Sequence, residues 1–324
     1  MFKYLIKRLI SLIPVVIIIS VLLFTFVQMM PGDPVAVMLG NSITDPEEYK
    51  AAYEAMRARM GLDASYFEQY IRWIVNSLKG QLGYSIAMNK PVTEVVARPL
   101  KNTIILNVTS LVLSFVISVF VGIRSAVKKG SFFDKFWQVT SIVGVSMPTL
   151  LIAVLLIYVF SLRLNLVPMS GMPSMIDDGS LRYYLELLPF MFLPLLTLTL
   201  GSFASTIRYI RNAMLDVLSS DYIRTARAKG VSGKVVIYSH AFRNALIPVV
   251  TIVAGSIPGI FGGAAITEQI FAWNGIGRVL IAGVNNLDYN LILAMNMFYA
   301  ILSLVSNIIM DVGYALVDPR VKID

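Results

Sequence analysis

Apolar residues in this chain gather in long unbroken runs rather than in helical stripes or alternating strand patterns. Six runs approach the ~20 residues that cross ~30 Å of hydrocarbon: about 9–29, 103–124, 137–161, 187–207, 246–267 and 291–315. The pattern predicts an all-α integral membrane protein with six transmembrane helices, one membrane domain accounting for residues 1–324. Lys3, Lys7 and Arg8 precede the first run as they would in a signal peptide. The run is too long for a signal core and no small-x-small cleavage site follows, so it reads as a retained anchor. Pro31-Gly32-Asp33-Pro34 ends it, since proline cannot continue a helix and disfavours helix in the residue before it. A polar loop of about 30–102 separates the first two runs. Within it, 46–82 reads as helical: Pro46-Glu47-Glu48 opens an acidic first turn, and Tyr66, Tyr70, Trp73, Ile74 and Leu78 lie near helical spacing. This predicts a small helical cap on the outer face, with Trp73 and its tyrosines at the interface.

Between the fourth and fifth runs, in a polar loop of about 208–245, stands a short amphipathic helix. Ser219, Ser220 or Asp221 can cap its start, and Gly230 can take the left-handed conformation that ends it. Arg227 and Lys229 complement the dipole in the last turn. Its length is about nine residues, or ~13 Å. Such a helix either lies on lipid headgroups or docks a soluble partner, and the docking reading is preferred because Ala226 at its middle lets another surface come close. In the fifth run, Gly255, Gly259 and Gly263 recur at four-residue spacing, giving one smooth face for helix packing or for a path at a subunit interface. Pro258 should kink or break that helix, and Pro148 should do the same in the third. Asn296 and Asn307 in the sixth can hydrogen-bond between helices or meet a solute.

Composition agrees with the runs: 57% hydrophobic, 14% charged, with a mean hydropathy of +0.74. Orientation follows from Lys and Arg. The N-terminus, the 124–135 region, the 208–245 loop and the C-terminal tail carry 16 of them, whereas the short loops opposite hold only Arg163, Arg182 and Arg278. The positive-inside rule puts both termini and the amphipathic helix in the cytoplasm. The net charge of +8 is thus mainly an orientation signal, and no soluble basic face with aromatics suggests nucleic acid.

The chemistry that is missing narrows the mechanism. The run interiors hold no Asp, Glu, Lys, Arg or His, which disfavours an ion-driven carrier. Cysteine is absent, and so are HExxH, GxSxG and GxxxxGK[ST] motifs, so no enzyme and no nucleotide site is expected here. Energy for uphill transport would have to enter from a partner. At the outer end of the fifth run, Glu268 stands near Phe271 and Trp273. These form either an aromatic belt with a solvated acid or an external gate.

Several motifs together resemble the permease subunits of bacterial ATP-binding-cassette importers, in the dipeptide/oligopeptide/nickel/glutathione group. They are Tyr4-Leu5-Ile6-Lys7-Arg8-Leu9, Pro31-Gly32-Asp33-Pro34, Gly61-Leu62-Asp63, Gly80-Gln81-Leu82-Gly83 and Val145-Ser146-Met147-Pro148. Further on come Asp221 through Gly230, Arg243-Asn244-Ala245-Leu246-Ile247-Pro248, and Asp318-Pro319-Arg320. The block containing Asp221, Tyr222, Arg224, Thr225, Ala226, Lys229 and Gly230 is similar to the family's cytoplasmic coupling loop. Arg224-Thr225-Ala226 stands where the general consensus has Glu-Ala-Ala, so no glutamate contact carries over. The resemblance implies a type I importer fold in the bacterial cytoplasmic (inner) membrane and a small helical extracytoplasmic insertion after the first span. It further implies a second homologous permease subunit, two ATP-binding-cassette ATPase subunits that hold ATP and Mg, and an extracytoplasmic substrate-binding protein. No cofactor is expected on this chain. Peptides are the expected cargo, with nickel chelates or glutathione as alternatives. A membrane anchoring or signalling subunit that docks a soluble partner but conducts nothing is the competing reading.

Overall fold

The computed structural model describes residues 2–40, 43–245 and 255–317. α1 (Phe2–Gln28) is apolar enough to cross a membrane from Ile6 to Gln28. α2 (Pro34–Leu39) starts on Asp33, whose Oδ1 accepts from the Val35 N–H at 2.8 Å, with proline in the first turn where no hydrogen bond is lost. α3 (Pro46–Arg59) starts the same way on Asp45, and α4 (Tyr66–Leu78) starts on a capping box between Ser65 and Glu68. These helices fall in the stretch 46–82 expected to be helical, with α2 before it. The aromatics of that stretch divide: Tyr66 and Phe67 are exposed, whereas Tyr70 and Trp73 pack on Phe24 of α1, and the Tyr70 hydroxyl lies 2.8 Å from the buried Ser20 Oγ. A hairpin that the apolar pattern does not announce, β1 (Tyr84–Ser85) with β2 (Lys90–Pro91), leads into the second span. Asp288 holds it down, accepting from Ser85 Oγ at 2.5 Å and from the Ala87 N–H at 3.1 Å.

α5 (Val92–Val127) begins well before the apolar run does. The third run is not one straight span. It is α6 (Phe132–Ser146) and α7 (Thr149–Leu156, continued as a π-helix to Arg163), bent by 108°. The break falls at Pro148, which pushes Met147 into an extended conformation with ψ of 127°. α8 (Leu181–Leu218) runs on past the expected loop start at 208, because the Arg, Leu, Ala and Met residues there favour helix. Then come α9 (Asp221–Ala228), α10 (Gly233–Val235), a π-helical stretch Val236–Ala241 and α11 (Phe242–Ala245). The first part of the expected fifth span, with Pro248, lies outside the described residues, as does Asp318-Pro319-Arg320. The remainder of that span is a short α12 (Ile257–Gly262), followed by α13 (Ala265–Ile270) and α14 (Ile276–Asn285). α15 (Tyr289–Val317) can cross a membrane from Tyr289 to Asp311. Among the described residues, four helices are long and apolar enough to cross a membrane, and the bent pair makes a fifth crossing if its two halves are one span.

The core is the α5–α8 seam, the most extensive helix contact described. Ser110, Ser114, Ser118 and Gly122 line α5 at four-residue spacing and are buried. Ser202 on α8 donates to Ser114 at 2.9 Å, and Ser118 donates to the Phe203 carbonyl at 3.3 Å. A Cβ on Gly122 would stand 2.8 Å from Ile210 Cγ2 and 3.3 Å from the Arg211 backbone nitrogen. In lipid, where tails are as apolar as leucine, such close backbone approach is what holds helices together. Near one end of this seam, Arg211 grips the buried Asp134 of α6 with two bonds of 2.6 and 2.9 Å. Arg8 of α1 pairs with Asp311 of α15, Nε to Oδ2 at 2.9 Å.

Candidate functional site

α9 is closed at its end as its residues dictate. Gly230 adopts φ of 77°. Its N–H donates to the Arg227 carbonyl at 3.0 Å, and the Val231 N–H to the Ala226 carbonyl at 3.2 Å, a Schellman arrangement. At the start, Ser220 takes the cap position, but its hydroxyl donates back to the Val217 carbonyl at 2.6 Å and caps nothing in α9. Asp221 in the first turn still complements the dipole.

The two faces of α9 differ sharply. Ile223 is fully buried and Ala226 half-buried in a cluster with Ile123 and Ala126 of α5, Ile210 and Met214 of α8, and Val236 and Ala241. Ala226, expected to face a partner, packs in part against its own protein, which small size permits for the same steric reason. The i, i+3 spacing of Ile223 and Ala226 in an otherwise polar helix was the available signal. Asp221, Tyr222, Arg224, Thr225, Lys229 and Gly230 are exposed and form the outward surface. The 3.4 Å pair between Arg224 and Asp221 is fully in solvent and contributes little to holding the helix. Burial of Ile223, worth about 1.5–3 kcal/mol, does more. α9 is therefore packed against the ends of the two longest helices described.

The segment 264–278 departs furthest from expectation. Glu268, Phe271 and Trp273 are at most 1% exposed, so the acid is not solvated and the rings are not at an open mouth. Glu268 Oε1 accepts from Thr103 Oγ1 at 2.8 Å and the Ala264 N–H at 3.3 Å, and Oε2 accepts from the Arg278 N–H at 3.0 Å. Thr103 in turn accepts from the Ile276 N–H at 2.8 Å. A Cβ on Gly275 would sit 2.4 Å from Glu268 Cδ, so glycine is required there. Trp273 packs with Leu106, Tyr183 and Leu187, and its Nε1 donates to the Asn102 carbonyl at 3.3 Å. Phe271 packs with Ala153 and Leu193. Three protein donors replace water around the carboxylate, and the segment is tied to α5, α7 and α8.

The expected glycine face of the fifth span also divides. Among the described residues a Cβ at Gly255 or Gly259 would meet nothing within 4 Å, whereas Gly263, at φ of 73°, ends the helix and lies against the Gly277 backbone. Pro258 falls in the first turn of α12, where it breaks no hydrogen bond. Asn107 of α5, which sequence reasoning passed over, donates to the Gly259 and Ile260 carbonyls at 2.9 and 3.1 Å. These are helix-end acceptors that lipid could not satisfy. Asn296 donates to the Ile292 carbonyl of its own helix at 2.8 Å rather than across helices.

Long apolar helices, a span broken at proline and an anchored amphipathic helix between spans define a polytopic membrane subunit rather than an enzyme. The chain belongs to the family of binding-protein-dependent transport system inner membrane components, which matches residues 118–323, while the N-terminal part of such components matches residues 1–107. It is thus a non-catalytic, multi-pass component of the inner membrane that works within a transporter complex. It is similar to the oligopeptide transport system permease protein AppB of Bacillus subtilis, 36% identical over 323 residues, covering 99% of this chain and 100% of the relative. It is equally similar to the glutathione transport system permease protein GsiC of Escherichia coli, 36% identical over 322 residues and covering 99% of each chain.

Proposed function

We propose that this chain forms half of the translocation pathway of an ATP-driven importer for peptides or glutathione, paired with a second, similar permease. α9 faces the cytoplasm and receives an ATP-binding-cassette ATPase subunit on its outward face, with Tyr222, Arg224, Thr225 and Lys229 as the contact. Two such ATPases serve the pair, and an extracytoplasmic binding protein delivers cargo from the opposite side. The observation that carries this reading is the two-sided build of α9. Its outer face is polar and uncommitted, and its inner face is locked into the α5–α8 seam, so a push is not dissipated in a loose loop. The positive-inside distribution supports the orientation, and the oligopeptide and glutathione transport systems of the similar permeases support the cargo.

The test compares two substitutions in the complex reconstituted with its partners. Thr225→Trp changes only the outward face, so assembly in the membrane should persist while transport and cargo-stimulated ATP hydrolysis fall together. Ala226→Arg drives a charge into the buried cluster and should lower the yield of folded protein instead. Full transport by Thr225→Trp at normal expression, together with no cross-link from a cysteine at Thr225 to an ATPase subunit, would sink the docking assignment.

A further inference from the structure

Beside the last turns of α5 runs an apolar groove of about 560 Å³ that neither the seam nor α9 accounts for. Phe115, Val119 and Phe120 of α5 line it together with Ile237, Tyr238 and Phe242, and Arg124 and Lys128 also border it. Arg124 stacks over the Phe133 ring at 5.1 Å. Among the described residues, neither Arg124 nor Lys128 has a carboxylate partner, and both are exposed.

We propose that this groove binds an anionic phospholipid, with its phosphate on Arg124 and Lys128 and an acyl chain along the apolar wall. The dimensions agree. From Arg124 back to Phe115 the helix rises roughly 13 Å, close to half of the ~30 Å hydrocarbon core, which is the depth of one leaflet. The charge agrees as well. A basic pocket between helices at the cytoplasmic boundary meets the leaflet where anionic lipid is enriched. The other occupants fit less well. Free phosphate would use the two cations and leave the apolar wall bare. A helix from the partner permease would fill the groove but bury two cations without a counter-charge, which is costly. The assignment to the cytoplasmic leaflet rests on the orientation proposed above; the chemistry of the groove does not.

The test uses the intact complex in nanodiscs of phosphatidylcholine carrying a photoactivatable phosphatidylglycerol. Adducts are expected on peptides spanning 115–128 and 236–242, falling about tenfold in Arg124→Gln/Lys128→Gln. Val116→Trp narrows the groove without touching either cation, and should lose the adducts too. It decides the matter if the charge variant fails to assemble. The proposal is overturned if wild-type adducts are absent from these peptides or persist in both variants. It is equally overturned if a photoactivatable phosphatidylcholine labels as well, or if a cysteine at Val116 cross-links efficiently to the partner permease. Transport measured on the same samples separates the failures, since missing adducts with transport intact remove the lipid site and leave the permease reading standing.

Discussion

Glu268 has exchanged water for three protein donors, from Thr103, Ala264 and Arg278. Leaving a buried donor unpaired costs about 1–3 kcal/mol. Glu268→Leu orphans all three and should lower the thermal midpoint of the purified complex strongly. Glu268→Gln keeps the shape and one acceptor oxygen, and should fall between leucine and wild type. Scanning fluorimetry would rank them. A leucine variant as stable as wild type but unable to transport would replace the structural role with a moving one. Gly230 shows the opposite case. Its left-handed backbone was legible because the steric preference it answers to is local.

At the scale of elements, α5 and α8 meet through small residues, and this can be tested with two glycines. Gly122→Leu would drive a side chain into Ile210 and the α8 backbone and should abolish monodisperse protein in size-exclusion chromatography. Gly201→Leu on α8, where a Cβ meets nothing within 4 Å, should be tolerated. Equal yields would show that the seam does not depend on close approach. The loop between α7 and α8 is tied to α5 by Lys101, whose Nζ donates to Asp177 at 2.7 Å. That bond, opposed by burial and helped by the Gly179 N–H, holds the Asp177 carboxyl below its usual range. A depressed carboxylate stabilises the fold above its unfolded value near ~3.9 and ceases to do so as pH falls through the folded value. Acidification from pH ~6 to below the unfolded value of ~3.9 and on through the depressed folded value should therefore lower the hydrogen-exchange protection of 164–180. Asp177→Asn should show the lowered protection already at neutral pH. A wild-type profile flat across this range would contradict the tie.

For the molecule as a whole, Gly255 and Gly259 are positions at which the described residues offer no close neighbour. A permease that works as one half of a pathway needs such a surface for its partner. Gly259→Leu should reduce recovery of the two-permease complex while leaving the thermal midpoint of this chain alone unchanged. If co-purification of the partner is unaffected, the face meets lipid, and the pairing surface lies elsewhere.

The sequence by itself determined the class, the position of most spans and the left-handed end of α9. Each follows from runs of apolar residues or from the sterics of a few neighbours, and both are local. The small-residue stripe of α5 was equally present in the letters, at the same four-residue spacing that drew attention to the fifth span. What distinguishes the two is occupancy: α8 fills one, and among the described residues nothing fills the other. Only the tertiary structure decided that Ala226 turns inward, that the break expected at Pro148 reaches 108° and that Glu268 is buried. The acid that looks solvated in sequence meets Thr103, 165 positions away. A carboxylate's state depends on what surrounds it, and here the surroundings come from another helix.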